Sequence, residues 1–517
     1  MFGRDPRRHD DWLVWSLLRR NAEKDPDAIA VVDRSGATSF RDLLTRSEAF
    51  AAALVASGIK AGDTISYQLP NCVEAMVVAL GAMRVGAVAN PIVPIYRQRE
   101  VGFIMREGQT RILVVPAATR SIDYVDLALQ VAPPSLDLIV TCGPVQTNAV
   151  SFEEFAGRGD PAKEIPGPSP DDDAFLIYTS GTVAEPKGVR HSQRTLMIDA
   201  LSIAETTHVT AADVCFLASP ITHITGLLYS HFLPQIHGNR LCLVDAWRPG
   251  EVAALIEREG CTWTTGATPF LQGLVYDPAV AAHDISSLRV FRCGGADVPP
   301  KLIRDAHAAG IRAFRSYGSS EHPTVSGFLD DDPEKAATTD GRVHGHVQLR
   351  ILDIDTREPM RPGQVGEIQT RGPEQFLGYR NAALDSDAFT ADGWLRTGDL
   401  GMLDEAGFLT VVGRLKDIII RKGENISAKE VEDVLMEHAA LDKVAVIGLP
   451  DEDRGEIVVA VCVIRPGKAF SMQDMTSHLD RIGLAKQKYP ERIEIRDSLP
   501  STPSGKIRKS ELRQMYS

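Results

Sequence analysis

Within Tyr178-Thr179-Ser180-Gly181-Thr182-Val183-Ala184-Glu185-Pro186-Lys187-Gly188-Val189, three aliphatic hydroxyls, two glycines and a lysine crowd into twelve positions. Small residues let backbone N–H groups turn toward an anion, hydroxyls add donors, and a lysine adds charge. That is the composition of a polyphosphate cradle, although an ordinary polar loop has the same ingredients. A Walker A loop is excluded, because its lysine must precede Ser or Thr and here Gly188 follows Lys187. The apolar run Ala174-Phe175-Leu176-Ile177 reads as a buried strand, and Gln193 to Ala204 as a helix. The loop is therefore expected in a turn between a strand and a helix.

Four further stretches carry chemistry-bearing residues. Arg315-Ser316-Tyr317-Gly318-Ser319-Ser320-Glu321 follows a predicted strand; a hydroxyl and a carboxylate there can share a magnesium ion and a phosphate oxygen, or simply form a polar turn. In Trp394-Leu395-Arg396-Thr397-Gly398-Asp399-Leu400, Asp399 is expected in a tight turn. There it is either a cap or an acceptor for both hydroxyls of a ribose. Gly413 to Ile426 contains Arg414, Lys416, Arg421, Lys422 and Gly423, and Leu499 to Arg508 sets Lys506 on a Pro/Gly/Ser loop.

The elements around these stretches alternate. Ala28–Val32, Thr64–Gln68, Ala87–Ile95, Ile112–Pro116, Leu138–Thr141 and Phe175–Tyr178 read as strands, with helices such as Phe40–Ala56 and Cys72–Gly86 between them. A second series runs through Val214–Ala218, Leu241–Val244, Thr262–Thr265, Val290–Cys293 and Ala313–Tyr317. Strand–helix–strand order at this spacing predicts an α/β fold with mixed or parallel sheets flanked by helices. Residues 343–413 switch to short strands and glycine turns, a β-rich subdomain closing an N-terminal domain of residues 1–413. Residues 414–517 read as a small, compact α+β C-terminal domain. From Lys416 onward 17 Lys+Arg balance 17 Asp+Glu, so the net charge of −13 lies entirely before it.

That charge argues against nucleic acid and anionic membrane surfaces as partners. Seven scattered cysteines without a CxxC pair read as buried thiols of a reducing, cytoplasmic compartment. The N-terminus lacks the apolar core of a secretory signal, and Ala75 to Val93 is broken by Arg84 and glycines, so no stable membrane insertion is expected.

The order of these motifs resembles the acyl-adenylate-forming superfamily of acyl- and aryl-CoA synthetases, peptide-synthetase adenylation domains and beetle luciferases. Gly86-Ala87-Val88-Ala89-Asn90-Pro91, Gly366-Glu367-Ile368-Gln369-Thr370-Arg371-Gly372-Pro373 and Gly448-Leu449-Pro450-Asp451 extend the resemblance over nearly the whole chain. It implies ATP, Mg2+ and CoA, and two half-reactions: acyl-AMP formation with release of pyrophosphate, then transfer to a thiol. By resemblance Thr179, Ser180, Gly181, Thr182 and Lys187 hold phosphates, with Ser320 touching them and Glu321 on the metal. Gly295, Ala296, Ser316, Tyr317 and Gly318 border the nucleotide, Asp399 grips the ribose with Arg414 beside it, and Lys506 bridges carboxylate and α-phosphate. A hinge at Lys416 would then swing Arg421, Lys422 and Gly423 to the CoA tunnel. Against the family pattern, Val183-Ala184 replace the usual Thr-Gly, Ser320 the usual Thr, and Ser316 a common Gly that would leave the acyl pocket longer.

His223, Thr225, Tyr229, Gly294, Ser316, Pro323 and Thr324 are the implied acyl pocket, with His223 at the thiol tunnel. No aspartate lies between Pro220 and Gln235 to pair an α-ammonium, so an uncharged-tail acid is expected. The segments look most like those of synthetases for medium-chain, carbocyclic or aromatic acids. Free CoA is the expected acceptor, because the chain runs only eleven residues past Lys506. A ligase loading a carrier protein, a luciferase-like oxygenase and an inactive adenylate-binding relative are the alternatives, and a homodimer is compatible.

Overall fold

Alternating β-branched runs and helices that are apolar on nearly every side fold here into two stacked sheets sharing one core. The computed structural model describes residues 12–116, 122–144, 147–160, 162–163, 165–179, 186–295, 298–421, 424–451, 454–501 and 507–516. In the eight-stranded sheet, Thr64–Tyr67, Val88–Pro91, Thr110–Pro116, Leu138–Cys142, Val150–Ser151 and Asp173–Tyr178 run parallel. Gly188–Ser192 and Gly378–Tyr379 add an antiparallel edge. A seven-stranded sheet carries parallel strands Ile29–Asp33, Val214–Leu217, Arg240–Leu243, Trp263–Gly266, Val290–Gly294 and Arg312–Ser316, edged by antiparallel Gly36–Ser39.

Helix Val73–Arg84 buries ten of its twelve residues, as a helix apolar all round must. Helix Gln193–Thr207 starts on the Ser192 hydroxyl, which accepts from the Thr195 N–H and satisfies one orphan donor of the first turn. Both lie in a core that joins Ile65, Ala89 and Ile177 of one sheet to Leu241, Trp263 and Phe314 of the other.

The region after residue 343 forms a four-stranded antiparallel sheet from Gln348–Leu352, Gly366–Arg371, Leu395–Leu403 and Leu409–Arg414. A five-stranded sheet then contains Ile418–Arg421, Glu424–Ser427, Leu441–Asp451, Gly455–Ile464 and Arg492–Ile495, packed against helices Ala428–Met436 and Met472–Ile482. Between the two sheets lies a single 3-10 turn, Leu415–Asp417.

Two local expectations need correcting. The lysine loop leads not into a helix but into strand Gly188–Ser192, which pairs antiparallel with Asp173–Tyr178. Five residues were too few for a clear period, so the strand merged with the helical pattern after it. Asp399 lies not in a tight turn but within strand Leu395–Leu403, in register with Arg414. The glycine before it, Gly398, takes φ +67° inside the strand, and this glycine gave the stretch its turn-like look. Among the described residues no helix is long and apolar enough to cross a membrane. All seven cysteines are free thiols.

Candidate active site

The hairpin of the lysine loop is closed by the Thr179 N–H donating to the Lys187 carbonyl at 3.0 Å. Ser180, Gly181 and Thr182, with Val183 and Ala184, lie outside the described residues, as do Ala296, Lys422, Gly423 and Lys506. Lys187 is exposed, and its ammonium stands 4.9 Å from the centre of the Tyr379 ring. The Tyr379 hydroxyl in turn donates to Glu321 Oε1 at 2.8 Å. Burial and the Glu321 charge push the Tyr379 phenol well above its ordinary range, so it remains a donor. One aromatic side chain thus links the cation of one loop to the carboxylate of another.

Glu321 sits on a loop with little room. A Cβ on Gly318 would lie 1.9 Å from the Pro323 carbonyl oxygen, so the turn requires glycine. Ser319 N–H donates to the His322 carbonyl, and the Ser320 carbonyl accepts from His191 Nε2 at 2.8 Å. Behind Glu321, His322 Nδ1 meets the Thr370 hydroxyl at 2.9 Å, while His346 and His322 approach buried Glu374 at 2.7 and 3.4 Å. Burial penalises the Glu374 carboxylate, but the two imidazoles outweigh it and hold its carboxyl at about 2.

On the neighbouring strands the Tyr317 hydroxyl donates to Asp399 Oδ2 at 2.7 Å, and Arg414 Nε lies 3.1 Å from Oδ1. The Asp399 N–H is held by the Thr397 hydroxyl. Each carboxylate oxygen keeps a further lone pair, which suits vicinal hydroxyls. Ser316 pairs with Gly294 across adjacent strands, and its hydroxyl donates to the Cys293 carbonyl at 3.3 Å. Gly295 takes φ +79° at the end of that strand.

The third cluster is built on the segment 224–237. His223 stands at the N-cap position of helix Ile224–Leu227, and Gly226 is obligatory, since its Cβ would lie 1.9 Å from the Pro220 carbonyl oxygen. Pro234 has no N–H to give, and the ladder widens into a π-turn over Leu228–Phe232, with Leu233 N–H reaching Leu228 O. Tyr229 lies in that bulge, stacked on Trp263 at 4.9 Å. Arg292 reaches over from strand Val290–Gly294 to donate to the Tyr229 hydroxyl at 2.9 Å and to Thr324 at 3.4 Å. Thr225 and His223 are half-buried at the helix start, and Pro323 is half-buried beside Thr324.

The chain matches the model of the AMP-binding enzyme family over residues 18–380, and that of the AMP-binding enzyme C-terminal domain over residues 430–506. The chain belongs to the AMP-binding enzymes. A medium-chain fatty-acid–CoA ligase of Escherichia coli (strain K12) is 34% identical to it, covering 96% of this chain and 89% of the relative. A sulfoacetate–CoA ligase of Cupriavidus necator is 31% identical, covering 98% of both chains. The ATP-bound crystal structure of MatB from Rhodopseudomonas palustris superposes with a TM-score of 0.88 at 28% identity, covering 97% of this chain and 98% of that one. This AMP-binding enzyme is an acid–thiol ligase that proceeds through an acyl-AMP.

In the C-terminal part of this AMP-binding enzyme, Lys416 lies in the Leu415–Asp417 turn, where burial and Arg414 lower its pKa. Arg421 is engaged with Glu491 and the Gln487 carbonyl. Residues Ser501 and Ile507 pair as a β-bridge on either side of 502–506. Sequence reasoning missed three contributors to the clusters. Tyr379 follows a glycine in a two-residue strand and could have been flagged only as an isolated aromatic. Arg292 is a charge inside the short apolar run Val290–Cys293 and Asp199 one inside the predicted helix Gln193–Ala204, which was a usable signal.

Proposed function

We propose that the Lys187–Tyr379–Glu321 cluster and the Tyr317–Asp399–Arg414 cluster hold ATP while a medium-chain, carbocyclic or aromatic carboxylate is activated. The observation that carries this is the juxtaposition itself: a loop cation and a loop carboxylate brought together on one tyrosine. An oxygen of the acid's carboxylate attacks the α-phosphorus, the bond to the β-phosphate oxygen breaks, and pyrophosphate leaves. Lys187 with Thr179, Ser180, Gly181 and Thr182 takes the β/γ-phosphates, with Ser320 adding a hydroxyl. Asp399 accepts from the ribose, with Tyr317, Ser316, Gly318, Gly295 and Ala296 around the nucleotide. Lys506 offsets charge between carboxylate and α-phosphate, as a mobile point charge suits.

The fit of Mg2+ rests on donor chemistry. Glu321 is a half-buried carboxylate with one oxygen oriented by Tyr379, and no cluster of three or more His, Cys, Asp or Glu stands among the described residues. Magnesium is held by one or two carboxylates plus substrate phosphates, so a single glutamate suffices. When bound, the ion neutralises phosphate charge.

In the second step the thiol of CoA loses its proton, its sulfur bonds to the acyl carbon, and AMP departs with the electrons of the C–O bond. A turn about Lys416 brings Arg421, Lys422 and Gly423 to that thiol, past His223. The short link Leu415–Asp417 between strand Leu409–Arg414 and the C-terminal sheet supports this division. Seven free thiols support a reducing compartment such as the cytoplasm. The test mixes enzyme, MgATP, CoA and a panel of acids, following pyrophosphate release and acyl-CoA by mass. Lys506→Ala is expected to lose about 10²–10³ in acyl-AMP formation while still converting supplied acyl-AMP to thioester. Absence of acyl-CoA with every acid overturns the reading.

A further inference from the structure

The acyl segment ends on charges that the reaction does not use. Arg292 is 4% exposed, Asp199 0%, and Tyr229 and Thr324 are 2% each. Arg292 spends its donors on Tyr229, Thr324 and the Ser326 carbonyl, while its Nε–H has no acceptor among the described residues. Asp199, on helix Gln193–Thr207, accepts from the Thr324 hydroxyl through Oδ2 at 3.1 Å, and its buried Oδ1 has no partner among the described residues. A buried guanidinium and a buried carboxyl are therefore one threonine hydroxyl apart, each with one polar atom to spare. Leaving such atoms buried and unmatched is costly, because each has given up water without a replacement partner.

Their place in the fold relates them to the acid. Arg292 and Gly294 are two apart on one strand and so face the same side of the sheet. The strand rise puts Arg292 roughly 6–7 Å behind Gly294. Phe291 and Cys293 face the other way, into a separate apolar core. Arg292 thus lies beneath the Gly294–Ser316 pair, reaching toward Tyr229 and Thr324, which belong to the proposed acyl pocket.

We propose that Arg292 and Asp199 form a polar floor to the acyl pocket that selects acids bearing an uncharged oxygen function, hydroxyl or oxo, at the distal end. The proposal rests on the ligase reading above. A hydroxyl matches both spare atoms, accepting from Arg292 Nε–H and donating to Asp199 Oδ1; a ketone oxygen matches the first. A distal carboxylate fits worse, because it would also face Asp199. Burial pushes the Asp199 carboxyl up to about 7, with Glu374 adding to the rise and Arg292 opposing it; above that pH the ionised carboxylate balances Arg292 and the floor is neutral overall. A plain methyl terminus satisfies neither atom.

The experiment measures kcat/KM for pyrophosphate release with four acids of one length, ending in methyl, hydroxyl, oxo and carboxylate groups. Wild type is expected to favour the hydroxyl or oxo acid over the methyl acid by at least about 100-fold, since sites built to hydrogen-bond a substrate group reject analogues lacking it. Whichever of the two is preferred tells whether Asp199 takes part. Arg292→Met, close in volume and without donors, is expected to invert the order, chiefly through KM, with ATP KM unchanged. Should Arg292→Met fail to fold, judged by its melting temperature, Arg292→Lys keeps the charge and is expected to lose most of the preference. Equal use of methyl and oxygenated acids by wild type, preference for the carboxylate-ended acid, or a uniform loss across all four in the variants would overturn the proposal. No pyrophosphate with any acid would remove the ligase reading along with it.

Discussion

Tyr379→Phe isolates the contact on which the proposed phosphate site turns. The substitution removes one oxygen, leaving the ring beneath Lys187 and taking away the 2.8 Å hydrogen bond to Glu321. A hydrogen bond to a charged group is worth about 1.5–3 kcal/mol, and about 1.4 kcal/mol is tenfold in rate. If the bond orients Glu321 for the metal-bound phosphates, pyrophosphate exchange should fall about 10- to 150-fold, with a rise in the magnesium concentration needed for half-maximal rate. Tyr379→Leu also removes the ring, adding about 0.5–1 kcal/mol for a cation–π contact at an exposed lysine. Thioester formation from supplied acyl-AMP should be unchanged in both variants, because neither ATP nor its metal takes part. Exchange within twofold of wild type in Tyr379→Phe, or an equal loss in the thioester step, would refute the positioning argument.

Other consequences are as direct. Asp399→Asn should weaken ATP binding by calorimetry about tenfold or more, since one carboxylate oxygen becomes a donor and only one of Tyr317 and Arg414 keeps its acceptor. The Asp199 carboxyl, raised to about 7 by burial, is more basic folded than unfolded. Its proton therefore favours the native state below about pH 7, and this contribution fades as pH rises from about 4 to 7. Melting curves from pH 5 to 8 should show that slope flattened in Asp199→Asn; an unchanged slope counts against it. Gly226→Ala would force a Cβ against the Pro220 carbonyl; its melting temperature and acid KM should both worsen, with ATP affinity retained.

Much of the architecture was legible because the strands are short, apolar and regularly spaced. Phe40–Ala56 was read with its observed ends, since Ser39 signals the cap and the apolar face repeats at helical spacing. Strand Gly188–Ser192 was lost because His191 and Ser192 are polar yet buried, one bonded to the Ser320 carbonyl and the other capping a helix. Tyr229 was visible as a residue near the acyl segment. The partnership with Arg292 was not, because 63 residues separate them and only the crossing of a strand under the π-turn brings them together.

The link at Leu415–Asp417 has a mechanical corollary. Arg414 is fastened to Asp399 on one side, and Asp417 accepts from Arg513 at 2.9 Å on the other. An axle clamped at both ends leaves torsion to the two residues between, so reorientation there would be a swivel with few degrees of freedom rather than a loose tether. If the joint turns as proposed, it would trade reach for repeatability: the same side chains would return to the same place on every turnover, and lengthening it by even one residue would put both stops out of phase.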